Sequence, residues 1–380
     1  MKPIRIMHVV RSLETGGLEN GVRKLLAGLD PGRFQQKVCT LVKAKEKLAG
    51  NSVCLGDSPN QKRILFAQLL RLFRNERPDI VHSRNWAAIE AITAARLAGV
   101  HGVVHSEHGR DTLTLGRQPF RRKLLRRMSY SWANRVFCVS QELKHYYCRE
   151  LCWGADKLEV IPNGVDLERF RPDVQARTQF RAALHADAAT FVIGTVGRLD
   201  PIKDQATLLR ASSMLLQKKF DVRVVIVGEG PQRSALEKQA RSFPALADCT
   251  VFAGEQRNVE EWLNAFDAFV LPSLFEGTSN TLLEAMAVGV APIVTNVGGN
   301  AEVVGSTGGG LLVEAQDASE LCDCLVRLAV NAAYRKRIGE AARQRVLTQY
   351  SLIRMLNQYE DLYSQLREAR GKRIPAFSRA

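Results

Sequence analysis

The chain has 380 residues, of which 46% are hydrophobic and 24% are charged. This length is enough for two to three domains, and the composition excludes a disordered or fibrous protein. No apolar run approaches the roughly 18 residues of a membrane span, and Ile4–Val10 is too short for the apolar part of a signal peptide. The sequence therefore predicts a cytoplasmic protein.

The first half of the chain alternates apolar runs with amphipathic stretches. The expected strands are Ile4–Val10, Gln36–Leu41, Ile80–His82, Val103–Ser106, Arg135–Val139 and Leu158–Ile161. The expected helices are Leu18–Leu29, Ile64–Asn75, Trp86–Ala98 and Lys123–Asn134. Such alternation is typical of a parallel sheet with helices on both faces.

The second half repeats this plan after a linker at Leu167–Asp173. Its expected strands are Val192–Val196, Val222–Val227, Thr250–Phe252, Phe269–Leu271, Ala291–Val294 and Gly310–Val313. Its expected helices are Gln205–Lys218, Gln232–Arg241, Val259–Asn264 and a final stretch from Tyr350 to about Leu366. The predicted fold class is α/β, with two doubly wound, Rossmann-like domains that place ligand at the carboxyl ends of both sheets.

Two glutamates eight positions apart form the most informative segment. Glu276 follows the apolar run 268–274, and Glu284 lies in a predicted helix over Thr281–Val288. Gly277-Thr278-Ser279-Asn280 supplies turn and N-cap chemistry between them. A helix N-terminus flanked by two carboxylates suits a diphosphate with a hydroxylated ring on either side. Two solvated surface glutamates are the alternative.

Other loops that follow predicted strands carry related chemistry. Arg198 and Lys203 follow the strand at 192–196, and two cations at this spacing suit a diphosphate leaving group. A surface pair between Arg198 and Asp200 is the alternative. Gly228 opens a Gly-Glu-Gly turn that lacks the third glycine of a dinucleotide fingerprint. Near the N-terminus, Gly16 and Gly17 allow the backbone to approach a ligand closely.

Taken in order, these segments resemble the retaining glycosyltransferases of family 4, which have the GT-B fold. The resemblance covers about residues 4–350. The matching segments are Gly16-Gly17-Leu18-Glu19, Glu107-His108-Gly109, Ile161-Pro162-Asn163-Gly164-Val165-Asp166, Gly197-Arg198 with Lys203, Val227-Gly228-Glu229-Gly230, and Glu276 with Glu284. Within the family, the pattern looks like sugar transferases of exosortase and exopolysaccharide systems.

The resemblance implies two domains facing each other across a cleft. Residues 1–170 would bind the acceptor, and residues 171–351 would bind a nucleotide sugar, with UDP as the expected nucleotide. A C-terminal helix at about 352–370 would pack back on the first domain.

It also implies a role for each matching residue. Arg198 and Lys203 would neutralise the leaving diphosphate, Glu276 would bind the transferred sugar, and Glu284 would bind the ribose. His108 would lie beside the donor sugar, with Glu107 and Asp111 as weaker candidates and His82 and Asn85 as further cleft residues. The remaining donor-binding residues are expected to be Gly16, Gly17, Gly197, Gly228, Gly277, Thr278, Ser279, Asn280 and Thr281.

No metal or cofactor is expected. The sequence contains no Asp-x-Asp triplet, and its eight cysteines include no Cys-x-x-Cys pair, which favours reduced thiols over a zinc site. The family's metal-independent chemistry, with retention at the anomeric carbon, implies that cations and a helix terminus replace a divalent ion.

The net charge of +15 is concentrated in one half of the chain. Residues 1–180 contain 31 Lys and Arg against 17 Asp and Glu, net +14, whereas residues 181–380 contain 23 against 22, net +1. The predicted helix near 120–134 adds apolar residues to a cluster of cations, namely Arg121, Arg122, Lys123, Arg126 and Arg127. This combination suits the anionic inner face of a membrane, and hence a glycan or polyprenyl-diphosphate-linked acceptor.

Several alternatives remain at this point. Leu124, Leu125 and Met128 could instead face the core, with the cations simply solvated. No nucleic-acid motif accompanies the positive charge, so nucleic acid is not expected as a partner. A nucleotide-sugar epimerase or hydrolase on the same fold, or a non-catalytic membrane-surface scaffold, are the competing functions.

Overall fold

The computed structural model describes residues 2–13, 16–42, 51–56, 62–110 and 119–369. Contacts divide the chain into two compact units, Met1–Pro162 with Arg354–Ala380, and Asn163–Ile353. Each unit contains one parallel β-sheet, so the predicted doubly wound α/β class is confirmed.

The first unit has seven strands in the order β3-β2-β1-β4-β5-β6-β7. They are β1 Ile4–Val10, β2 Phe34–Thr40, β3 Ser52–Cys54, β4 Ile80–Arg84, β5 Gly102–Glu107, β6 Arg135–Cys138 and β7 Glu159–Val160. Its helices up to this point in the chain are α1 Gly17–Gly28, α2 Lys62–Glu76, α3 Glu90–Leu97, α4 Phe120–Trp132 and α5 Gln141–Leu151. The central strands β1, β4 and β5 are buried along almost their whole length because helices cover both faces of a parallel sheet.

The second unit has six strands in the order β10-β9-β8-β11-β12-β13. They are β8 Phe191–Val196, β9 Val222–Val227, β10 Thr250–Gly254, β11 Ala268–Leu271, β12 Ala291–Thr295 and β13 Leu311–Val313. The helices are α6 Val174–Ala183, α7 Gln205–Gln217, α8 Arg233–Arg241, α9 Pro244–Cys249, α10 Val259–Ala265, α11 Asn280–Val288, α12 Asn300–Val304, α13 Ala318–Val330 and α14 Ala332–Gln349. The chain changes direction across the sheet between β8 and β11, and ligands of such sheets bind beyond the carboxyl ends at that point.

The last helix, α15 (Leu352–Glu368), packs on the first sheet. Its Tyr363 is fully buried and lies 2.8 Å from Nδ1 of His82. Glu360 forms an ion pair with Arg33 at 2.5 Å. The residues that close the core of the first unit therefore come from the far end of the chain.

The structure differs from the sequence prediction in both short and long elements. The helix expected over Trp86–Ala98 is a 3₁₀ turn at Trp86–Ala88 followed by α3, and Asn85 before it has a φ of +54°. The elements whose bounds were not predicted are strand β3 and helices α5, α6, α9, α12, α13 and α14. Across the residues that the structure describes, no helix is both long and apolar enough to cross a membrane.

Candidate functional site

An ion pair at the carboxyl ends of β8 and β11 joins two of the predicted site residues. Nζ of Lys203, in the 3₁₀ turn Pro201–Lys203, lies 2.5 Å from Oε1 of Glu276. Glu276 is 8% exposed, and the Lys203 side chain is 25% exposed. Ser273, which is fully buried, donates its hydroxyl to the same carboxylate oxygen at 2.7 Å. The loop after β11 thus presents a carboxylate whose orientation is set by two neighbours.

The backbone of this loop is held at several points. Oγ1 of Thr295 in β12 donates to the carbonyl of Ser273 at 2.6 Å. The N–H of Gly299 donates to the carbonyl of Glu276 at 3.2 Å. Gly298 has a φ of +53°, and a Cβ at this position would collide with the Glu276 carbonyl. Glycine at 298 is therefore needed both for backbone conformation and for this close approach.

Helix α11 starts directly after the loop. It begins at Asn280, one residue before the predicted start, and Ser279 caps it by accepting a hydrogen bond from the N–H of Leu282 at 3.3 Å. The hydroxyls of Ser279 and Thr281 lie 3.2 Å apart. Nδ2 of Asn163 donates to the carbonyl of Thr278 at 2.9 Å. The positive end of the α11 dipole and a group of small polar side chains therefore lie beside Glu276, as expected of an anion site.

Glu284 lies just over one turn into α11 and is 9% exposed. Its charge contributes to a raised pKa of Arg169, although the hydrogen bond from Arg169 to Glu260 is the largest cause. Arg169 belongs to the segment predicted as a linker, and the sequence contains no signal that places it near this carboxylate.

Arg198 follows β8 and forms the surface pair that the sequence left as the alternative. Its Nη2 lies 2.5 Å from Oδ2 of Asp200, and its side chain is 62% exposed. The carbonyl of Arg198 accepts from Nε2 of Gln205 at 3.1 Å, which fixes the backbone while the guanidinium projects outward. The structure thus unites Lys203 with Glu276 and leaves Arg198 on a separate partner.

The predicted glycines of this unit lie where neighbouring strands end. Gly197 has a φ of +157° and donates to the carbonyl of Val227 at 3.0 Å. Gly228 has a φ of +139° and donates to the carbonyl of Gly254 at 2.7 Å. A Cβ on Gly228 would collide with the carbonyl of Gly197. These glycines therefore allow the loops after β8 and β9 to pack closely.

The predicted residues of the first unit lie at helix and strand ends. Gly16 is the N-cap of α1 in an extended conformation, and Gly17 is the first residue of that helix. His108 follows β5 and is half-buried. The backbone N–H of His108 donates to Oδ1 of Asn85 at 2.8 Å, and the ring nitrogen Nε2 lies 2.9 Å from Oγ of Ser106. Burial and, secondly, the charge of Arg84 lower the pKa of His108 to about 3.

Two weaker candidates do not behave as free site residues. His82 is fully buried and bonded to Tyr363 and Ser106, so its prediction as a cleft residue is wrong. Glu107 is also fully buried, where the hydroxyls of Tyr130 and Tyr147 donate to it. Burial alone would raise its pKa, but Arg126 together with its hydrogen-bonded neighbours lowers the pKa to about 2. Asp111 lies outside the described residues.

Arg126 is not on the surface, so its predicted contact with a membrane is wrong. Its Nε lies 3.2 Å from Oε1 of Glu107, with both side chains 1% exposed. The guanidinium also lies 4.8 Å from the ring centre of Tyr147 and 5.0 Å from that of Trp86. Burial opposes the charge, but Glu107 and the tyrosines keep the pKa of Arg126 above its usual value. The cation is therefore part of the core.

The other four cations of α4 differ in their surroundings. Arg121 is exposed, and Arg122 lies 4.3 Å from the ring centre of Trp86. Lys123 pairs with Glu150 at 2.8 Å, and Arg127 donates to the carbonyl of Leu151 at 3.3 Å. Two of the four, Arg121 and Arg127, are exposed.

The large apolar side chains of α4 are exposed, which is unusual for a helix of a globular unit. Exposure runs from 44% for Trp132 to 78% for Phe120, with 48% for Leu124 and 56% each for Leu125 and Met128. The alternative in which Leu124, Leu125 and Met128 face the core is therefore wrong.

Comparison with known proteins agrees with this architecture. Residues 15–169 match the family model described as Glycosyltransferase Family 4, and residues 190–331 match that described as Glycosyl transferases group 1. The chain is 30% identical over 306 residues to a UDP-Gal:alpha-D-GlcNAc-diphosphoundecaprenol alpha-1,3-galactosyltransferase of Escherichia coli, covering 78% of this chain and 77% of that protein. It is 28% identical over 310 residues to the putative glycosyltransferase EpsF of Bacillus subtilis, covering 77% and 79%.

Solved structures show the same fold. Sucrose-phosphate synthase from Thermosynechococcus elongatus matches 96% of this chain and 100% of its own at 22% identity and a TM-score of 0.83. Anabaena HepE in complex with UDP-glucose matches 95% and 100% at 20% identity and a TM-score of 0.82. The fold and the matches define a glycosyltransferase with the GT-B architecture. The chain belongs to glycosyltransferase family 4.

Proposed function

We propose that the protein transfers a sugar from a UDP-sugar to a hydroxyl of a glycan or lipid-linked saccharide, with retention at the anomeric carbon and without a metal ion. The observation that carries this proposal is the Lys203–Glu276 pair beside the N-terminus of α11. Two further findings support the donor and the acceptor. HepE was solved with UDP-glucose, and the E. coli relative is named for transfer from UDP-Gal to a diphosphoundecaprenol-linked sugar.

The donor diphosphate would lie against the start of α11. Backbone N–H groups and the hydroxyls of Ser279 and Thr281 would donate to phosphate oxygens, with Asn280, Gly277 and Thr278 completing the turn. Lys203 would turn from Glu276 toward the diphosphate, and Arg198 would exchange Asp200 for a phosphate oxygen. Both cations then stabilise the negative charge that grows on the leaving group, which lowers the barrier rather than only strengthening binding.

The carboxylates would bind the rings on either side of the diphosphate. Glu276 would accept from hydroxyls of the transferred sugar, and Glu284 from the ribose hydroxyls. Gly197 and Gly228 would allow close approach of the nucleotide to the strand ends, and Gly16 and Gly17 would do the same at the start of α1. His108 would contact the donor sugar. The acceptor hydroxyl would attack on the face that the diphosphate leaves, and a phosphate oxygen would take its proton.

The acceptor would be reached at an anionic membrane surface, on the cytoplasmic side, through α4. Exposed Leu124, Leu125 and Met128 would enter the interface while Arg121 and Arg127 contact lipid phosphates. Flotation with vesicles of anionic and of neutral lipid tests this proposal. Replacing the three apolar residues by Ser should abolish binding to anionic vesicles, and binding that is unchanged would contradict it. Replacing Arg121 and Arg127 by Gln should weaken binding to anionic vesicles.

A donor screen followed by a transfer assay tests the activity. Among UDP-, GDP- and ADP-sugars, a UDP-sugar should raise the melting temperature most, because a bound ligand stabilises the native state by mass action. The stabilising sugar should then be transferred to lipid extract with chelator present. Release of free sugar would instead indicate a hydrolase, and formation of an epimer would indicate an epimerase. No turnover would favour a non-catalytic scaffold.

Glu284→Ala is the matching variant for the donor site. It should lose transfer while still unfolding cooperatively in the absence of nucleotide, with a lowered melting temperature because the carboxylate also interacts with Arg169. Normal turnover in this variant would contradict the proposed ribose contact.

A further inference from the structure

A buried cation at the end of β4 lies between two histidines. Arg84 is 2% exposed. Its Nη1 lies 3.2 Å from Nδ1 of His8, and its Nη2 lies 3.3 Å from Nδ1 of His82. A guanidinium has five N–H donors and no acceptor, and it keeps its protons in proteins. These two contacts are hydrogen bonds only if both imidazole nitrogens accept, that is, if neither Nδ1 carries a hydrogen.

The direction of donation then passes from His82 to His108. Because Nδ1 of a neutral His82 accepts, its hydrogen is on Nε2, which donates to Oγ of Ser106 at 3.0 Å. The Ser106 hydroxyl has one hydrogen, and Nε2 of His108 lies 2.9 Å from the same oxygen. Ser106 therefore donates to His108, whose Nε2 is an acceptor. The hydroxyl of Tyr363 lies 2.8 Å from the same Nδ1 of His82, so in this assignment the single lone pair of that nitrogen is shared between the Tyr363 O–H and the Arg84 N–H.

The hydrogen bonds on the His8 side of Arg84 also run outward from the guanidinium, from donor to acceptor. Its Nε2 lies 3.0 Å from Oε1 of Gln36, so His8 donates to the amide oxygen. Nε2 of Gln36 in turn donates to the carbonyl of Leu25 at 3.0 Å. Each group on this side is satisfied by the same assignment of hydrogens, and the amide orientation needs no reversal.

We propose that Ser106 and His82 are positioning residues that hold His108 as a neutral imidazole with its hydrogen on Nδ1. His108 then presents an N–H donor, and not a basic nitrogen, on the side away from Ser106. Within the described residues no hydrogen bond reaches Nδ1 of His108. Such a donor suits a sugar hydroxyl or a phosphate oxygen; this part of the inference rests on the proposed function.

The electrostatic surroundings favour the same neutral state. Burial lowers the pKa of both His82 and His108, and the charge of Arg84 is the second cause for each. An imidazolium at either position would lie in a buried region beside an existing cation, which is unfavourable. The ring at 108 therefore stays uncharged at neutral pH.

Nitrogen NMR of histidine-labelled protein tests the assignment directly, because protonated and unprotonated ring nitrogens differ in ¹⁵N shift. His108, identified by loss of its signals in His108→Gln, should show a hydrogen on Nδ1 and none on Nε2. In Ser106→Ala this single tautomer should be replaced by a mixture, and Ser106→Thr, which keeps the hydroxyl, should restore it. A hydrogen on Nε2 in the wild type, or an unchanged tautomer in Ser106→Ala, would overturn the proposal.

Ser83→Ala is the matched control. Ser83 is fully buried in the neighbouring strand and pairs with Nδ1 of a different histidine, His105, at 2.8 Å. Its replacement removes the same hydroxyl from the same sheet and should shift only the His105 signals. A loss of the His108 tautomer in this variant would show that any buried serine has the effect, and it would also overturn the proposal.

Transfer activity separates this inference from the proposed function. With the competent tautomer reduced to a fraction, Ser106→Ala should lower kcat at least about threefold, and Ser106→Thr should recover it. A wild-type protein that shows the Nδ1–H tautomer but transfers no sugar would refute the proposed function while the tautomer assignment stands. A lost tautomer with unchanged kcat would refute the donor role of His108.

Discussion

Lys203 and Glu276 are 73 positions apart in the chain, yet Nζ of one lies 2.5 Å from Oε1 of the other. In the free protein each charge neutralises its partner at the carboxyl edge of the second sheet. In the proposed function, a bound donor would replace this contact, so the cation and the carboxylate would have to separate.

Lys203→Met should therefore affect turnover far more than stability. Loss of one cation at a developing charge typically lowers kcat by about 10²–10³-fold. Glu276 keeps its hydrogen bond from Ser273 in this variant, so the loss of folding stability should be small beside the loss of turnover. Steady-state kinetics and thermal unfolding measure the two effects. Lys218→Met, at an exposed position after α7, is the control and should leave kcat unchanged. Near-normal turnover in Lys203→Met would remove the residue from the site.

Gly298→Ala should displace the Glu276 loop. Alanine at this position would have a strained positive φ, and its methyl group would collide with the Glu276 carbonyl. Donor binding should therefore weaken along with stability. Gly308→Ala is a matched control, because that glycine has a φ of +82° but a Cβ added there would meet nothing within 4 Å. It should show only the cost of a non-glycine residue at positive φ, about 1–2 kcal/mol. Equal effects on donor affinity in the two variants would mean that the close approach at Gly298 does not position Glu276.

Arg126→Gln should destabilise the first unit by about 3–5 kcal/mol, because it leaves the buried Glu107 carboxylate without its cation. Arg121→Gln, in the same helix but at an exposed position, should change the free energy of unfolding by about 0.5 kcal/mol or less. Chemical denaturation of the two variants measures the difference. A similar, small effect for both would contradict the buried ion pair.

Mild acid should weaken the first unit before its carboxylates are protonated. The pKa of His8 and of His108 is lowered to about 3, chiefly by burial, whereas an unfolded histidine titrates near about 6.5. Below about pH 6.5 the unfolded chain therefore binds protons that the native state does not, and stability falls until about pH 3. When the pH is lowered from about 7.5 to about 5, each of these two histidines should lower the free energy of unfolding by about 2 kcal/mol.

Urea unfolding at these two pH values tests the prediction. The pKa of Glu107 is lowered to about 2, so the stability that its carboxylate contributes is lost only at a pH below both test values. Glu107 therefore does not mimic the effect of the histidines. His145→Gln, at an exposed site in α5, should keep the full loss. A free energy of unfolding that is flat over this range would mean that the buried histidines are charged in the native state or accessible to protons.

The central strands were predictable because their burial is visible in the sequence. The bounds of β1 and β9 match the prediction, since both are mostly apolar runs followed by a polar or glycine residue. β3 has only three residues, two of them exposed, and so leaves no such signal. Helix α5 is rich in polar residues and is fixed by the Ser140 cap and by three buried side chains.

The site was predictable in its residue types but not in its contacts. The resemblance identified Lys203 and Glu276, whereas the role of Ser273 depends on a hydrogen bond that no spacing reveals. Arg126 has the same chemistry as Arg121 and lies in the same basic segment of the sequence. Only the position of Glu107 on β5 shows that one of the two arginines faces inward, and this is tertiary information.

The contact between Tyr363 and His82 has a consequence for biosynthesis. A ribosome releases the first sheet's seven strands long before it has made the helix that covers them, and almost two hundred residues of the second unit emerge in between. Until α15 packs on the first sheet, the histidine and arginine side chains beneath it remain exposed to water. The first unit is therefore completed only after the second unit has been synthesised.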